Sequence, residues 1–205
     1  SAAEIIEKSK VQTGDNLFRI SVGKVKSSIQ DALPYVEEVK VRRDLRGVLI
    51  LTVQQAVPYM NLEYDGTYML LCEKGRILES GASTPYQDKM VVSGVTPSAT
   101  NVGAYISFED EQTALMQNIL RTLQNVELTD VDHIDLTDRA SIKLSYDNGR
   151  IQIRLGTEND MEHKLRLAKE CIRSKIGENE KVLLNVSTVG SATIRPIDDD
   201  DTGTE

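Results

Sequence analysis

The sequence predicts an α+β fold, and three observations carry that expectation. Two amphipathic helical stretches precede two apolar runs within the first 57 residues. From Pro58 the texture changes to short apolar runs punctuated by turn residues. Two later helical periodicities flank or follow a well-marked hairpin. The expected organisation is a small module of two helices plus a hairpin over residues 1–57. A larger antiparallel-sheet β domain with two helices follows over 58–196, and a disordered acidic tail over 197–205.

The elements follow in order. Ile5, Ile6 and Ser9 share a helical face until Thr13-Gly14-Asp15-Asn16 breaks it. Val22, Val25, Ile29 and Leu33 recur at spacings of 3, 4 and 4, a second helix that Pro34 closes. Val39 and Val41 alternate with charges, and Val48 to Val53 is apolar and β-branched, giving two strands joined across Asp44 to Gly47. In the second region, Tyr64-Asp65-Gly66-Thr67 and Glu73-Lys74-Gly75-Arg76 separate strands at Tyr68 to Cys72 and Arg76 to Leu78. Residues 79–104, rich in Ser, Gly, Pro and Thr, read as loop. A helix is expected from Phe108 to Asn125, with Leu115, Ile119 and Leu123 on one stripe.

The best-specified hairpin comes next. Ile142, Leu144 and Tyr146 alternate with polar residues, Asp147-Asn148-Gly149 turns the chain, and Ile151, Ile153 and Leu155 alternate again. Asn159 and Glu162 have the spacing of a capping box ahead of a helix striped by Leu165, Ala168, Ile172 and Ile176. The chain closes with strands at Val182 to Ser187 and Ser191 to Arg195, across a turn at Val189-Gly190.

Composition narrows the function. The apolar runs, such as Val48 to Leu51 and Tyr68 to Cys72, are too short to cross a bilayer. The net charge is -8, but five acids lie in the last eight residues, so the body is near balance and no basic surface invites nucleic acid. Cys72 and Cys171 are too few for a disulfide framework or a four-ligand zinc site, and each sits at an apolar position, as a buried thiol would. His133 and His163 are 30 residues apart, and no His-x-x-x-His pair, nucleophile elbow or phosphate-binding glycine loop occurs. Neither metal nor cofactor is expected, and no enzymatic activity. Tyr59, Tyr64, Tyr68 and Tyr86 leave a sugar-binding reading open, although tyrosines on a pleated surface usually fill cross-strand pairs. What remains is backbone chemistry. A sheet that ends in a chain-terminal strand exposes unpaired N–H and C=O groups, which either need covering or recruit an extended partner.

The residues then resemble a known family. Gly14-Asp15-Asn16-Leu17-Phe18, the run Leu33-Pro34-Tyr35-Val36-Glu37-Glu38-Val39-Lys40-Val41-Arg42-Arg43 and Leu49 to Val53 are similar to a POTRA domain. Ile134-Asp135-Leu136, Arg154-Leu155-Gly156, Lys164-Leu165 and Leu184-Asn185-Val186 follow in the order seen in the extracytoplasmic part of the FtsQ/DivIB cell-division family. The resemblance covers about 3–196. It implies a longer, single-pass cell-membrane protein at the division septum, with this region on the extracytoplasmic side and a first POTRA strand upstream of the helix at Ala3.

It also implies a non-enzymatic divisome scaffold that binds FtsB/DivIC-like and FtsL-like membrane proteins, with other division proteins contacting the POTRA module. The FtsB/DivIC partner is implied to add a strand at Ser191, Ala192, Thr193, Ile194 and Arg195, with Asn185, Val186 and Ser187 beside it and Arg139 facing an acidic helix. Ser187 stands where the family commonly has a basic residue, and Gln54-Gln55 where it commonly has Glu-Arg. The alternatives are a POTRA-type chaperone or assembly module of a secretion or envelope-assembly system, and a sugar-binding envelope module.

Overall fold

The structure, a computed structural model, describes residues 1–44, 46–86, 88–107 and 111–197. The acidic run from Asp198 and the expected first turn of the helix at Phe108 lie outside the described residues.

The small module opens with α1 (Ala2–Ser9), which Ser1 and Glu4 cap reciprocally. The helix α2 (Val22–Ala32) starts where the Ser21 hydroxyl accepts the Lys24 N–H, and Pro34 prevents its continuation. The strands β1 (Val36–Asp44) and β2 (Val48–Gln55) pair antiparallel. Val25, Ile29, Val36 and Val39 form its core, with Ile5, Val11, Leu51 and Val53 packed at the rim.

The larger part is a nine-stranded sheet. Its strands are β3 (Pro58–Tyr64), β4 (Thr67–Cys72), β5 (Ile77–Ala82), β6 (Val91–Ser93), β7 (Val131–Asp135), β8 (Ile142–Tyr146), β9 (Ile151–Gly156), β10 (Val182–Asn185) and β11 (Thr193–Pro196). Their spatial order is β11-β10-β9-β8-β7-β6-β3-β4-β5. The α+β class is as expected and most pairings are antiparallel, but β3–β6, β6–β7 and β9–β10 are parallel. Parallel neighbours need a crossover. The helices α3 (Glu111–Val126) and α4 (Met161–Lys175) supply two of them, between β6 and β7 and between β9 and β10.

Two expectations are corrected. Residues 79–104 are not all loop: they hold most of β5 and all of β6, which sits inside the sheet. Three residues are too few for an alternation to be visible, so its neighbours, not its own pattern, define β6. The helix α4 starts at Asp160 in the left-handed region with no side-chain cap, not at an Asn159–Glu162 box.

The Cα register threads one apolar row through seven strands: Leu62, Val92, Ile134, Leu144, Ile153, Leu184 and Ile194. All but Ile194 are buried beneath the helices, where Leu115, Met116 and Ile119 of α3 and Leu165, Ala168 and Cys171 of α4 meet them. The opposite face of the sheet is polar over β6 to β11 and apolar over β4 and β5. There Leu70, Cys72 and Leu78 bury against Ala56, with Tyr35 and Tyr86 packed on them. Cys72 and Cys171 are both free and buried, in different apolar clusters.

The two parts are clasped by Arg76, 2% exposed at the start of β5. Its guanidinium donates to the Gln30 and Val36 carbonyls of the small module and to Gly103 O (3.0 Å), under the Tyr105 ring at 5.8 Å. Lys74 pairs with Glu37 at 2.7 Å, Tyr35 O–H donates to Glu79, and Ala56 N–H donates to Tyr35 O at 2.8 Å.

Arg76→Met is expected to leave the buried Val36 carbonyl and the half-buried Gln30 and Gly103 carbonyls without this donor, and to cost about 3 kcal/mol. Chemical denaturation should then separate into two transitions, with α2 and β1 amides exchanging first; one unsplit transition at the parent midpoint would contradict the clasp. Burial, then the Glu79 carboxylate, raises the Tyr35 hydroxyl to about 12. The folded state therefore holds this proton more tightly than the unfolded chain. Its stabilising contribution is complete below pH ~10 and is lost as pH rises towards ~12. In Tyr35→Phe, unfolding midpoints should fall less steeply across that window.

Candidate partner-binding edge

Among the described residues the strand β11 pairs with β10 alone, in the register Asn185–Thr193, Leu184–Ile194, Leu183–Arg195 and Val182–Pro196. Ile197 N–H donates to Lys181 O at 3.0 Å, which fixes the alternation. Arg195 and Thr193 turn their main-chain groups inward to Leu183 and Asn185, while those of Ile194 and the Pro196 carbonyl point outward. Pro196 is tolerated because its missing N–H would face away from β10. The edge is one residue shorter than the five-residue run expected at Ser191 to Arg195, and shifted towards the C-terminus.

The sheet's other edge is different. In β5 the pairing skips a residue at Gly81, between Ala82 opposite Tyr68 and Ser80 opposite Met69. Ile77 is bonded on its outer side by Ala104 O and Gly103 N–H, both at 2.8 Å. A bulge and a covering loop are how edges are blunted. The edge at β11 has neither among the described residues, and Ile194 (37%) and Val189 (51%) are exposed beside it.

Most of the expected site residues converge at one corner. Thr193, Ile194, Arg195 and Ser191 are exposed, Ala192 is half-buried against the core, and Asn185 lies opposite Thr193. Val186 is fully buried, so only its backbone is near the edge. The Asn185 side chain accepts from Ser187 N–H at 3.0 Å and shapes the turn out of β10. Arg139 is at the same end of the sheet, but it is engaged. Its guanidinium reaches Glu111 of α3 at 2.5 Å and Glu158 at 3.5 Å, and the Glu111 hydrogen bond leads in raising its pKa.

Ser187 is held close to Gly156, which sits at φ +67; a Cβ there would meet Ser187 Cβ at 2.9 Å. The junction between β9 and α4 is fastened by Lys164, fully buried, whose ammonium donates to Thr157 O at 2.8 Å. Burial pushes the Lys164 ammonium down from its ordinary value, with Asp160 opposing.

The open face beside the edge carries residues that periodicity did not single out. A second row reads Ser93, Asp135, Lys143, Arg154, Asn185 and Thr193. Burial works against charge on Asp135, but the Thr137 hydroxyl and N–H, Lys143 and His133 together hold its carboxyl below the ordinary value. His133 is half-buried on this face, with Nε2 2.8 Å from Ser93 Oγ. Tyr59 bonds Gln124 on the helix side, whereas Tyr86 lies against Leu70 and Cys72 on the other, so these tyrosines do not share one stacking surface. No three His, Cys, Asp or Glu side chains are grouped as metal ligands among the described residues.

The fold is a clasped small module beside a wide sheet, one edge of which has no covering segment among the described residues. Residues 1–55 match the family description "POTRA domain, FtsQ-type", and residues 61–188 match "Cell division protein FtsQ/DivIB, C-terminal". The chain belongs to the FtsQ/DivIB family. It is 28% identical to the cell division protein DivIB of Clostridium acetobutylicum over 91% of this chain and 74% of the relative. It is 24% identical to DivIB of Clostridium tetani over 93% and 72%. It is also 24% identical to the cell division protein FtsQ of Syntrophotalea carbinolica over 90% and 66%. No helix among the described residues is long and apolar enough to cross a membrane.

Gly156→Ala is expected to cost roughly 1–3 kcal/mol, from backbone strain and the contact with Ser187. Adding Ser187→Gly should return part of that loss in a double-mutant cycle read by denaturation. Strict additivity would mean that the two positions do not touch.

Proposed function

We propose that this chain is a non-enzymatic scaffold of the bacterial division machinery. It binds FtsB/DivIC-like and FtsL-like proteins on the extracytoplasmic side of the membrane, in part by accepting an extended segment beside β11. The supporting observation is the bare outer edge of β11 in a sheet whose opposite edge is bulged and covered. Family membership supports the setting: a septal, membrane-associated division protein that meets other components of that machinery. In this reading the POTRA module carries contacts with other division proteins and the longer protein is anchored by a single span.

The edge supplies three outward main-chain groups, the Ile194 N–H and C=O and the Pro196 C=O. At about 0.5–1.5 kcal/mol net each, they do not make a tight complex alone. Side chains flanking the added strand must contribute the remainder.

The register identifies the informative variant. Thr193→Pro would remove an inward N–H and damage the native ladder, whereas Ile194→Pro spares the ladder and removes an outward donor together with the exposed isoleucine side chain. Ile194→Pro should lower affinity for the soluble region of an FtsB/DivIC-type protein, alone and with its FtsL-type partner, by at least tenfold in calorimetry. Ile194→Val should bind like the parent, and amide protection in β10 should be unchanged in both. Parent-like binding by Ile194→Pro would refute the edge assignment.

A further inference from the structure

The small module is charged unevenly along its length. Residues 1–57 hold nine Lys and Arg against seven Asp and Glu, in a chain of net charge -8. Glu37 and Glu38 lie at the start of β1, the clasped end, where Lys74 pairs with Glu37. Five cations gather at the other end. They are Lys10 after α1, Arg19 ahead of α2, Lys24 in its first turn, Arg43 late in β1 and Arg46 in the turn to β2. All five are exposed. The module's ion pairs among the described residues, Ser1–Glu4, Lys8–Glu7, Lys40–Glu38 and Lys74–Glu37, include none of them.

The fold brings these residues to one tip. Two hollows that share Val11, Asp15 and Ile20 open there, one lined by Lys10, Arg19 and Lys24, the other by Leu17, Gly47 and Val48. The Arg43 guanidinium donates to Ile20 O and fastens the hairpin to the loop. The acids at this tip are occupied by their own turns: Asp15 accepts Gln12 N–H at 2.8 Å and Asp44 accepts Arg46 N–H at 3.2 Å. Asp31, which also lines the first hollow, is two helical turns below Lys24.

Amid these cations stands Phe18, 85% exposed. Its position is built: Asn16 accepts Phe18 N–H on its side chain at 3.0 Å and Arg19 N–H on its carbonyl at 2.9 Å. This turn points Leu17 into the second hollow and leaves Phe18 and Arg19 outside. An exposed hydrophobe alone means little, but an aromatic ring ringed by unpaired cations is the composition of a surface that enters the headgroup layer of a membrane.

We infer that this tip of the small module docks on an anionic lipid surface, with Lys10, Arg19, Lys24, Arg43 and Arg46 against the headgroups and Phe18 inserted between them. Charge complementarity selects the anionic surface, and in a chain of net charge -8 that attraction is local to the tip. Phe18 selects a bilayer over a soluble phosphate polymer, which has no apolar interior to receive it. The setting agrees, because the family is one of septal, membrane-associated division proteins. The nine residues of β1 place the tip roughly 25 Å from the clasp, free of the large sheet.

The test is co-sedimentation of the whole chain with vesicles of phosphatidylcholine, alone or mixed with phosphatidylglycerol. Binding should be at least about tenfold tighter to the mixed vesicles and should weaken as salt rises. Arg19→Glu with Arg46→Glu should abolish that preference, and Phe18→Ser should weaken binding severalfold. Arg121→Glu with Arg173→Glu, equal in charge change but on α3 and α4, should preserve it, as should Ile194→Pro, since the inference is independent of the edge reading. All the residues replaced at the tip and on the helices are exposed, so unfolding midpoints should match the parent. Equal binding to both kinds of vesicle would overturn the inference. A preference lost equally in both charge-reversal variants would assign it to the overall field and overturn it too. Parent-like binding by Phe18→Ser would overturn the bilayer as occupant, and equally tight binding of soluble polyphosphate by both proteins would then identify a phosphate polymer instead.

Discussion

One guanidinium determines how the two parts of this molecule stand. The linker from β2 to β3 is only Ala56 and Val57, short enough to limit rotation but not to define an orientation. Arg76 does so by donating to carbonyls at the end of α2, at the start of β1 and in the loop at Gly103. A buried charge is costly unless every donor is used, so this residue tolerates one arrangement of the three segments. Lys74, Tyr35 and Ala56 then close the joint around it with an ion pair and two hydrogen bonds. The small module is thereby committed to the β4–β5 end of the sheet. At about 4.8 Å per strand, β11 lies roughly 40 Å away.

The same constraint explains why the two sheet edges differ. The module, the loop at 101–104 and the bulge near Gly81 occupy the β5 side. At the β11 side the helix layer stops over β10, because α4 connects β9 to β10 and lies above that pair. The apolar row consequently continues one strand further than its cover, to Ile194. An exposed hydrophobe in isolation means little. Here it is the seventh member of a row whose other six members are buried, on a strand with no outer neighbour among the described residues.

Much of this was legible in the sequence, for identifiable reasons. The Asp147-Asn148-Gly149 turn places three consecutive residues at positive φ, which side chains other than Asn, Asp and Gly resist, and the hairpin at Ile142–Gly156 follows. The α2 stripe and Pro34 likewise give a helix with a definite end. Three features were hidden because non-local neighbours create them. The strand β6 exists only between β3 and β7. Arg76 reads as an ordinary turn residue until the small module folds over it. The pairing of Lys143 with Arg154 appears only once the β8–β9 register is known. The edge itself was legible as a chain-terminal strand, but its inward and outward alternation required the bond from Ile197 to Lys181.

That alternation also limits what strand addition contributes. A micromolar complex needs about 8 kcal/mol, whereas three outward main-chain groups at ~0.5–1.5 kcal/mol each give at most about half of that before ordering costs. A bare backbone edge is therefore a weak and promiscuous site. On the reading proposed above, the remainder of the affinity has to come from burying Ile194 and its surroundings. On that reading, strand addition therefore binds usefully only when main chain and flanking side chains engage together.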